Sequence, residues 1–282
     1  MTILEFKRHF KQELSNLYSE SESAQLYSIF VEKIVGLSSF HQRRFMHQEL
    51  LIDDEQRLSE ALNELTTGKP YQQILGETEF YGLTFFVDEN VLIPRPETEE
   101  LLEITIQKIR SLGVKSPRIL DIGTGSGIIP IILKKYFPEA DVSSIDFSEM
   151  ALKTAQRNAN LHQVKVNFIH ADYLNFKLEE NYDIIISNPP YIGIEEEIEI
   201  ADSVKEFEPK IALFSPTADA LIFYRKIAKD AEQHLNNNGW IFLEINQKLG
   251  EETLSLFVNN HFKNASLIKD ISENNRFVIV KK

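Results

Sequence analysis

The chain has 282 residues, which is long enough for two domains. Its hydrophobic fraction of 43% is sufficient for buried cores and too low for a membrane protein. Its net charge of −13 disfavours a long nucleic acid as a partner, because such binding depends on clustered Lys and Arg. No cysteine is present, the seven histidines are scattered and no apolar run reaches about 18 residues, so we expect no disulfide, metal site, membrane span or secretory signal, and a cytoplasmic location.

Residues 1–75 are predicted to form a small helical domain. Apolar residues recur at helical spacing, and Ser19-x-x-Glu22 is a capping box for a helix that Gly36 ends. Two further helices are predicted over 39–50 and 53–65. The pattern fits a domain that positions a partner and, equally, a structural cap on the next domain.

Residues 76–95 are predicted to be a connector that begins with a β-hairpin around Gly82. Arg95 then stands between Pro94 and Pro96, which hold the backbone extended. This rigid frame favours a functional position for Arg95 over an ordinary exposed charge. A helix is predicted to follow, from Glu97 or Thr98 to residue 109.

The remaining residues, 96–282, alternate between strands and helices, which predicts an α/β, doubly wound, Rossmann-like sheet with ligands at the carboxyl ends of its strands. We place strands at 119–120, 142–146, 164–169, 182–187 and 240–245, and helices at 128–136, 148–160, 220–235 and 249–259. A closing antiparallel hairpin is predicted from 265–271 and 277–280.

The first strand leads into a glycine loop that contains Asp121, Gly123, Thr124, Gly125 and Gly127. Such a loop lets a ligand approach the backbone closely, although a plain strand-to-helix turn has the same pattern. The Gly-x-Gly-x-Gly spacing differs from the Gly-x-Gly-x-x-Gly of dinucleotide enzymes, and an acid directly before the loop would repel a phosphate. The loop therefore favours a cationic ligand that carries an amine.

Two further acids follow the next strands. Asp146 lies 23 residues after Gly123, where an acid can accept both hydroxyls of a ribose, and Ser148 is free to cap the following helix in its place. Asp172 could accept from an adenine amine, although it is as readily an ordinary loop acid. Together these acids describe S-adenosylmethionine, with S-adenosylhomocysteine as product, better than NAD.

The most specific motif is Asn188-Pro189-Pro190-Tyr191, directly after a predicted strand. The Asn188 side-chain oxygen and the Pro189 carbonyl are two acceptors that suit the two hydrogens of a planar NH₂ group. Tyr191 offers a flat face for stacking. We interpret Asn188 and Pro189 as catalytic residues that align an amide nitrogen rather than act as strong bases.

With these motifs the sequence resembles the class I S-adenosylmethionine-dependent methyltransferases, and within them the protein-(glutamine-N5) methyltransferases of peptide chain release factors, the HemK/PrmC family. The resemblance covers nearly the whole chain, including 68–76, 80–82, 92–99, 121–127, 188–191 and 208–213. Asn-Pro-Pro-Tyr is shared with adenine-N6 DNA and some RNA guanine-N2 methyltransferases. The Ile-Pro-Arg-Pro-Glu-Thr-Glu stretch is narrower and indicates glutamine methylation.

The resemblance implies methylation of the glutamine in the Gly-Gly-Gln loop of a release factor by a protein that we expect to be a monomer, with a helical N-terminal domain that helps to dock the factor. Implied cofactor contacts are Asp121, Gly123, Thr124, Gly125, Gly127, Asp146, Asp172 and Asn188. Implied substrate contacts are Asn188, Pro189, Pro190, Tyr191 and Arg95.

Three other functions stay open at this point. They are glutamine methylation of a ribosomal protein, methylation of a nucleic-acid base, which the charge disfavours, and a non-catalytic binding module, which the intact Asn188, Pro189 and Asp121 disfavour. The sequence departs from the family in the loop 214–220, usually a glycine-rich turn, and at Asn246, usually glycine. Both departures concern the predicted substrate-facing loop.

Overall fold

The computed structural model describes residues 1–193, 196, 198, 200–258, 262 and 264–282. The chain divides into two compact units, Met1–Glu77 and Thr78–Lys282. The described helices of the first unit are α1 Ile3–Glu13, α2 Glu20–Val35, α3 Ser39–Arg44, α4 Ile52–Thr66 and α5 Tyr71–Leu75. The apolar faces of α1, α2, α4 and α5 share one core, in which Phe6, Phe10 and Phe30 are fully enclosed.

The ends of α2 follow the sequence prediction. The Ser19 hydroxyl accepts from the Glu22 amide while the Glu22 carboxylate accepts from the Ser19 amide, so the capping box is confirmed. Gly36 ends the helix in the left-handed region, with φ of 78°.

The helix predicted over 39–50 is wrong beyond Arg44. The chain after α3 instead pairs with the first residues of the protein. The Leu4 amide donates to the Met46 carbonyl at 2.8 Å, and the Leu50 amide donates to the Met1 carbonyl at 3.0 Å. These bonds satisfy backbone groups that a continued helix would have used internally.

The predicted hairpin is present as β1 Glu77–Phe80 and β2 Leu83–Phe86, which form a two-stranded sheet with Gly82 at φ of 69° in the turn. The other described strands are β3 Arg118–Ile122, β4 Asp141–Asp146, β5 Asn167–His170, β6 Tyr182–Ser187, β7 Leu235–Glu244, β8 Asn264–Lys269 and β9 Asn275–Lys281. The helices are α6 Pro96–Leu112, α7 Ile128–Tyr136, α8 Glu149–Leu161, α9 Asp202–Phe207, α10 Lys210–Leu213, α11 Ile222–His234 and α12 Gly250–Val258.

In the described part of the chain, seven strands form one sheet in the order β5-β4-β3-β6-β7-β9-β8. The first five of these are parallel neighbours, and β9 is antiparallel to both β7 and β8. The doubly wound sheet and its closing antiparallel hairpin are therefore confirmed. Successive residues Ile119 and Leu120 of β3 pack into different cores, so both faces of the sheet are covered.

Several boundaries differ from the prediction, among them the start of β5, which lies at Asn167 rather than at residue 164. The helix predicted to end at residue 235 ends at His234, and β7 begins at Leu235 rather than Trp240, because Leu235 pairs with Tyr182 of β6. Helices α9 and α10 were not predicted. The end of the last predicted helix, Asn259, lies outside the described residues. No helix within the described ranges is long and apolar enough to cross a membrane.

Candidate active site

The carboxyl ends of β3, β4 and β6 open into a cavity of about 570 Å³, a size typical of small-molecule sites. Apolar side chains and glycine-loop backbone make up much of its wall. Of the predicted site residues, those that line the cavity are Arg95, Gly123, Thr124, Gly125, Asp146, Asp172, Asn188, Pro189 and Pro190. Asp121, Gly127 and Tyr191 lie outside this lining.

The glycine loop between β3 and α7 needs its glycines for two different reasons. Gly123, Gly125 and Gly127 all adopt left-handed φ angles, of 90°, 52° and 83°. A Cβ on Gly123 would meet the Asn188 carbonyl oxygen at 3.4 Å, so this part of the loop approaches the Asn-Pro-Pro-Tyr segment closely. A Cβ on Gly127 would meet Ala155 at 3.0 Å, so Gly127 lets α7 and α8 pack together.

Asp121 lies beneath the loop and is fully buried. One carboxylate oxygen accepts from the Ser144 hydroxyl at 2.5 Å, and Ser144 in turn lies 2.6 Å from the Thr124 hydroxyl, which lines the cavity. The other oxygen has no hydrogen-bond partner among the described residues. Burial raises the pKa of Asp121 to about 8. A nearby cation would compensate this buried oxygen and return the pKa toward its ordinary range.

Asp146 ends β4 and holds the glycine loop. Its carboxylate accepts from the Gly125 amide at 2.9 Å and from the Ser148 amide at 2.8 Å. Burial raises the pKa of Asp146, and hydrogen bonds from the Ser148, Gly125 and Phe147 amides oppose that change. The Ser148 hydroxyl caps α8 by accepting from the Ala151 amide, as predicted. A carboxylate has about four acceptor positions, so Asp146 keeps capacity to accept from a ligand hydroxyl at the cavity wall.

Asp172 follows β5 and orders its own loop. Its carboxylate accepts from the Leu174 amide at 3.1 Å and from the Asn175 side chain at 2.6 Å. The residue also lines the cavity. It therefore combines the two alternatives that the sequence left open, a loop acid and an acid within reach of a ligand.

The Asn-Pro-Pro-Tyr segment leaves β6 along the cavity wall. Asn188, Pro189 and Pro190 line the cavity, whereas Tyr191 packs its ring against the apolar core on one face of the sheet. Burial raises the pKa of the Tyr191 hydroxyl far above its ordinary value. The structure thus does not bring the Tyr191 ring to the cavity wall beside Asn188, and the predicted stacking role stays a prediction.

A buried hydrogen-bond chain supports Asn188, and sequence reasoning did not identify its members as site residues. The Asn188 Nδ2 donates to Thr98 Oγ1 at 3.2 Å, and the Thr98 hydroxyl donates to Glu244 Oε2 at 2.7 Å. Glu244 is only 1% exposed, and burial raises its pKa to about 7. The sequence feature that could have identified this chain is the position of Thr98 within the Ile-Pro-Arg-Pro-Glu-Thr-Glu stretch.

Arg95 is held by Glu208, which the sequence analysis did not identify as a site residue. Its guanidinium donates to Glu208 Oε1 at 2.5 Å, and the other Glu208 oxygen accepts from the Ile93 amide at 2.9 Å. Glu208 is buried, whereas a third of the Arg95 side chain is exposed. The Pro-Arg-Pro frame and Glu208 together fix Arg95 at the cavity wall, with donors left for a ligand.

The geometry fits S-adenosylmethionine. The glycine backbone permits close approach, Asp146 and Asp172 supply acceptors at the wall, and the unpartnered oxygen of buried Asp121 suits an ammonium group nearby. Within the described ranges, no group of three or more His, Asp or Glu side chains could hold a metal ion.

Comparison with known proteins identifies relatives that are methyltransferases. Residues 99–205 match the family described as "Methyltransferase small domain". The chain is 44% identical to the release factor glutamine methyltransferase of Flavobacterium psychrophilum, over 99% of both chains. It is 38% identical to the protein of the same name from Streptococcus pneumoniae, over 99% of this chain and 98% of that one.

Two solved structures share the fold. A methyltransferase from Pyrococcus furiosus superposes with a TM-score of 0.51 at 17% identity, over 82% of this chain and 99% of that chain. The 16S rRNA N2 G1207 methyltransferase of T. thermophilus, in complex with AdoMet and guanosine, gives 0.52 at 19% identity, over 73% and 49%.

Proposed function

The chain belongs to the family of release factor glutamine methyltransferases, and we propose that it methylates the side-chain amide nitrogen, N5, of the glutamine in the Gly-Gly-Gln loop of a peptide chain release factor. The observation that supports this most directly is the position of Asn188 and Pro189. Both line the cavity, and the Asn188 backbone lies within contact distance of the glycine loop at Gly123. A pair of amide acceptors thus adjoins a cofactor-sized cavity.

The methyl donor in this proposal is S-adenosylmethionine, which supplies an electrophilic methyl group on a sulfonium when bound. The glycine loop would hold its amino-acid end, with Asp121 as the buried counter-charge that acts through Ser144 and Thr124. Asp146 would accept from the ribose hydroxyls, and Asp172 would lie on the adenine side.

Asn188 and Pro189 would orient the substrate amide nitrogen for methyl transfer. An amide nitrogen is a poor nucleophile because its lone pair is delocalised. The Asn188 Oδ1 and the Pro189 carbonyl would each accept one of its hydrogens, which fixes the nitrogen and favours charge that develops on it during transfer. The nitrogen would gain the methyl group as the methyl–sulfur bond breaks and a neutral thioether leaves, and it would lose one proton to water.

Arg95 and the helical unit would serve the protein substrate. The Arg95 guanidinium, fixed by Glu208, presents donors that suit backbone carbonyls of a loop. We propose that the unit Met1–Glu77 helps to dock the release factor. A cytoplasmic location belongs to the same proposal, because release factors act at the ribosome. We also propose that the protein acts as a monomer.

Single-turnover transfer of labelled methyl to a full-length release factor tests this function. The same factor with its Gly-Gly-Gln glutamine changed to alanine is the blank. We expect label on the glutamine factor alone, and calorimetric binding of S-adenosylhomocysteine but not of NAD. Equal label on the blank would contradict the assigned target, and mass spectrometry of ribosomal proteins from cells with and without the gene would then show whether the methylated glutamine lies there.

A further inference from the structure

The hydrogen-bond chain behind Asn188 has a defined direction. The Thr98 hydroxyl carries a single proton and lies 2.7 Å from Glu244 Oε2 and 3.2 Å from Asn188 Nδ2. An ionised carboxylate accepts hydrogen bonds and cannot donate them. Because Thr98 gives its proton to Glu244, it can only accept from Asn188, and the Asn188 amide must turn its NH₂ group toward Thr98.

This direction decides which end of the amide is available to a ligand. Among the residues that the structure describes, Thr98 is the one hydrogen-bond partner of the Asn188 side chain, and Asn188 lines the cavity. With Nδ2 committed to Thr98, Oδ1 is the end without a protein partner. A flipped amide would set Oδ1 against the Thr98 lone pairs and lose the bond.

The ionised state of Glu244, which predominates above its pKa of about 7, is therefore the origin of the direction, and the direction is fixed at alkaline pH. Burial disfavours this state, and Glu97 on α6 opposes it further. Arg276 on β9, Thr98 on α6 and the Tyr191 hydroxyl favour it. The carboxylate is 1% exposed, so solvent does not supply a competing donor.

We propose that Thr98 and Glu244 are positioning residues that make the site select an amide over a carboxylate, an inference that rests on glutamine being the substrate. Glutamine brings an NH₂ group that donates to Asn188 Oδ1. Glutamate has nearly the same shape but would bring an oxygen, which places two acceptors against each other in a partly buried site. The Pro189 carbonyl opposes such an oxygen as well, so the part of the discrimination that Thr98 and Glu244 supply is the part that comes from the fixed Asn188 amide.

The test compares two ligands on several variants. Calorimetry at about pH 8.5, above the pKa of Glu244 of about 7, measures binding of a full-length release factor and of its Gly-Gly-Glu variant, each in the presence of S-adenosylhomocysteine. We expect the wild-type protein to prefer the glutamine factor by about 10- to 100-fold, the range for one hydrogen bond lost in a buried site. Thr98→Val keeps the shape but removes the hydroxyl, so the Asn188 amide can flip and the preference should fall by about threefold or more, to the part that the Pro189 carbonyl supplies.

Matched variants separate positioning from packing. Thr98→Ser restores the hydroxyl and should restore the preference. Thr105→Val removes a buried hydroxyl from the same helix, where it bonds only within α6 to the Leu101 carbonyl, and should leave the preference at the wild-type value. Glu244→Gln offers Thr98 either a donor or an acceptor and should give an intermediate preference.

A wild-type preference in folded Thr98→Val would overturn the proposal. If Thr98→Val fails to bind S-adenosylhomocysteine and is judged unfolded, Glu244→Gln decides, and an unchanged preference in that variant overturns it equally. Failure of the proposed function is a separate result, because the wild-type protein itself would then transfer no methyl to the glutamine factor.

Discussion

The buried carboxylate of Glu244 should make the stability of the second unit depend on pH, and Glu244→Gln measures this dependence. Burial raises its pKa from the ordinary 4.5 to about 7, so the folded protein holds this proton more tightly than the unfolded chain does. The stabilisation from the proton is complete below pH 4.5 and is lost as the pH rises through 7. At about 1.4 kcal/mol per pH unit, the loss amounts to about 3 kcal/mol.

Glutamine cannot titrate, so Glu244→Gln should lack this loss. The free energy of unfolding of the variant minus that of the wild-type protein should grow by about 3 kcal/mol between pH 4.5 and pH 8. Titration of Asp121 contributes equally to both proteins and cancels. A constant offset from altered hydrogen bonding is removed because only the change with pH is interpreted.

Urea unfolding followed by tryptophan fluorescence is the assay. Trp240 is the one tryptophan in the sequence and lies in β7, four residues before Glu244, so the signal reports on the second unit. A difference that stays constant across this pH range would refute the reasoning, because it would mean that Glu244 titrates alike in the folded and unfolded states.

Three further predictions concern binding and catalysis. Asp146→Ala should weaken S-adenosylhomocysteine binding by about 2–3 kcal/mol, since the lost acceptor is charged and also orders Gly125; unchanged calorimetric affinity in the folded variant would exclude this role. Asn188→Ala should keep cofactor affinity but slow single-turnover methyl transfer by about 10²–10³, and Asn188→Asp should not restore the rate because it adds charge beside the sulfonium; wild-type transfer by Asn188→Ala would contradict the amide role. Ile52→Lys, at a residue that is 84% exposed, should raise KM for the release factor several-fold at constant kcat if the helical unit docks that protein, and an unchanged KM would argue against this face.

The fold was predictable where local pattern and tertiary structure agree. The alternating strands and helices after residue 116 and the capping box at Ser19 are local signals, and each is found in the structure. The prediction failed where hydrogen bonds to a distant part of the backbone determine the end of a helix or the start of a strand. The helix stops at Arg44 because residues after it bond to the first residues of the chain, and β7 begins at Leu235 because β6 offers it a partner.

The sequence predicted residues that line the cavity, but it did not predict the residues that hold them in place. Acids and glycines at strand ends reveal themselves by spacing, so Asp146 and Asn188 were identified from the sequence. The residues that hold Arg95 and Asn188 in place were not identified, because Glu208 and Glu244 lie 113 and 146 positions away from their partners Arg95 and Thr98. Asp121 illustrates the remaining limit, since spacing places it next to the ligand loop but cannot show that it lies beneath that loop.

The place of β9 in the sheet has a consequence for synthesis of the protein. Among the described strands β9 is made last, yet it lies between β7 and β8 and buries Phe277, Val278 and Val280. While the chain emerges, β7 presents an open hydrogen-bonding edge and β8 has no neighbour in the sheet. The parallel sheet that carries the glycine loop and Asn188 precedes β9 in the chain, so its open β7 edge can pair with another chain and aggregate until the final strand inserts.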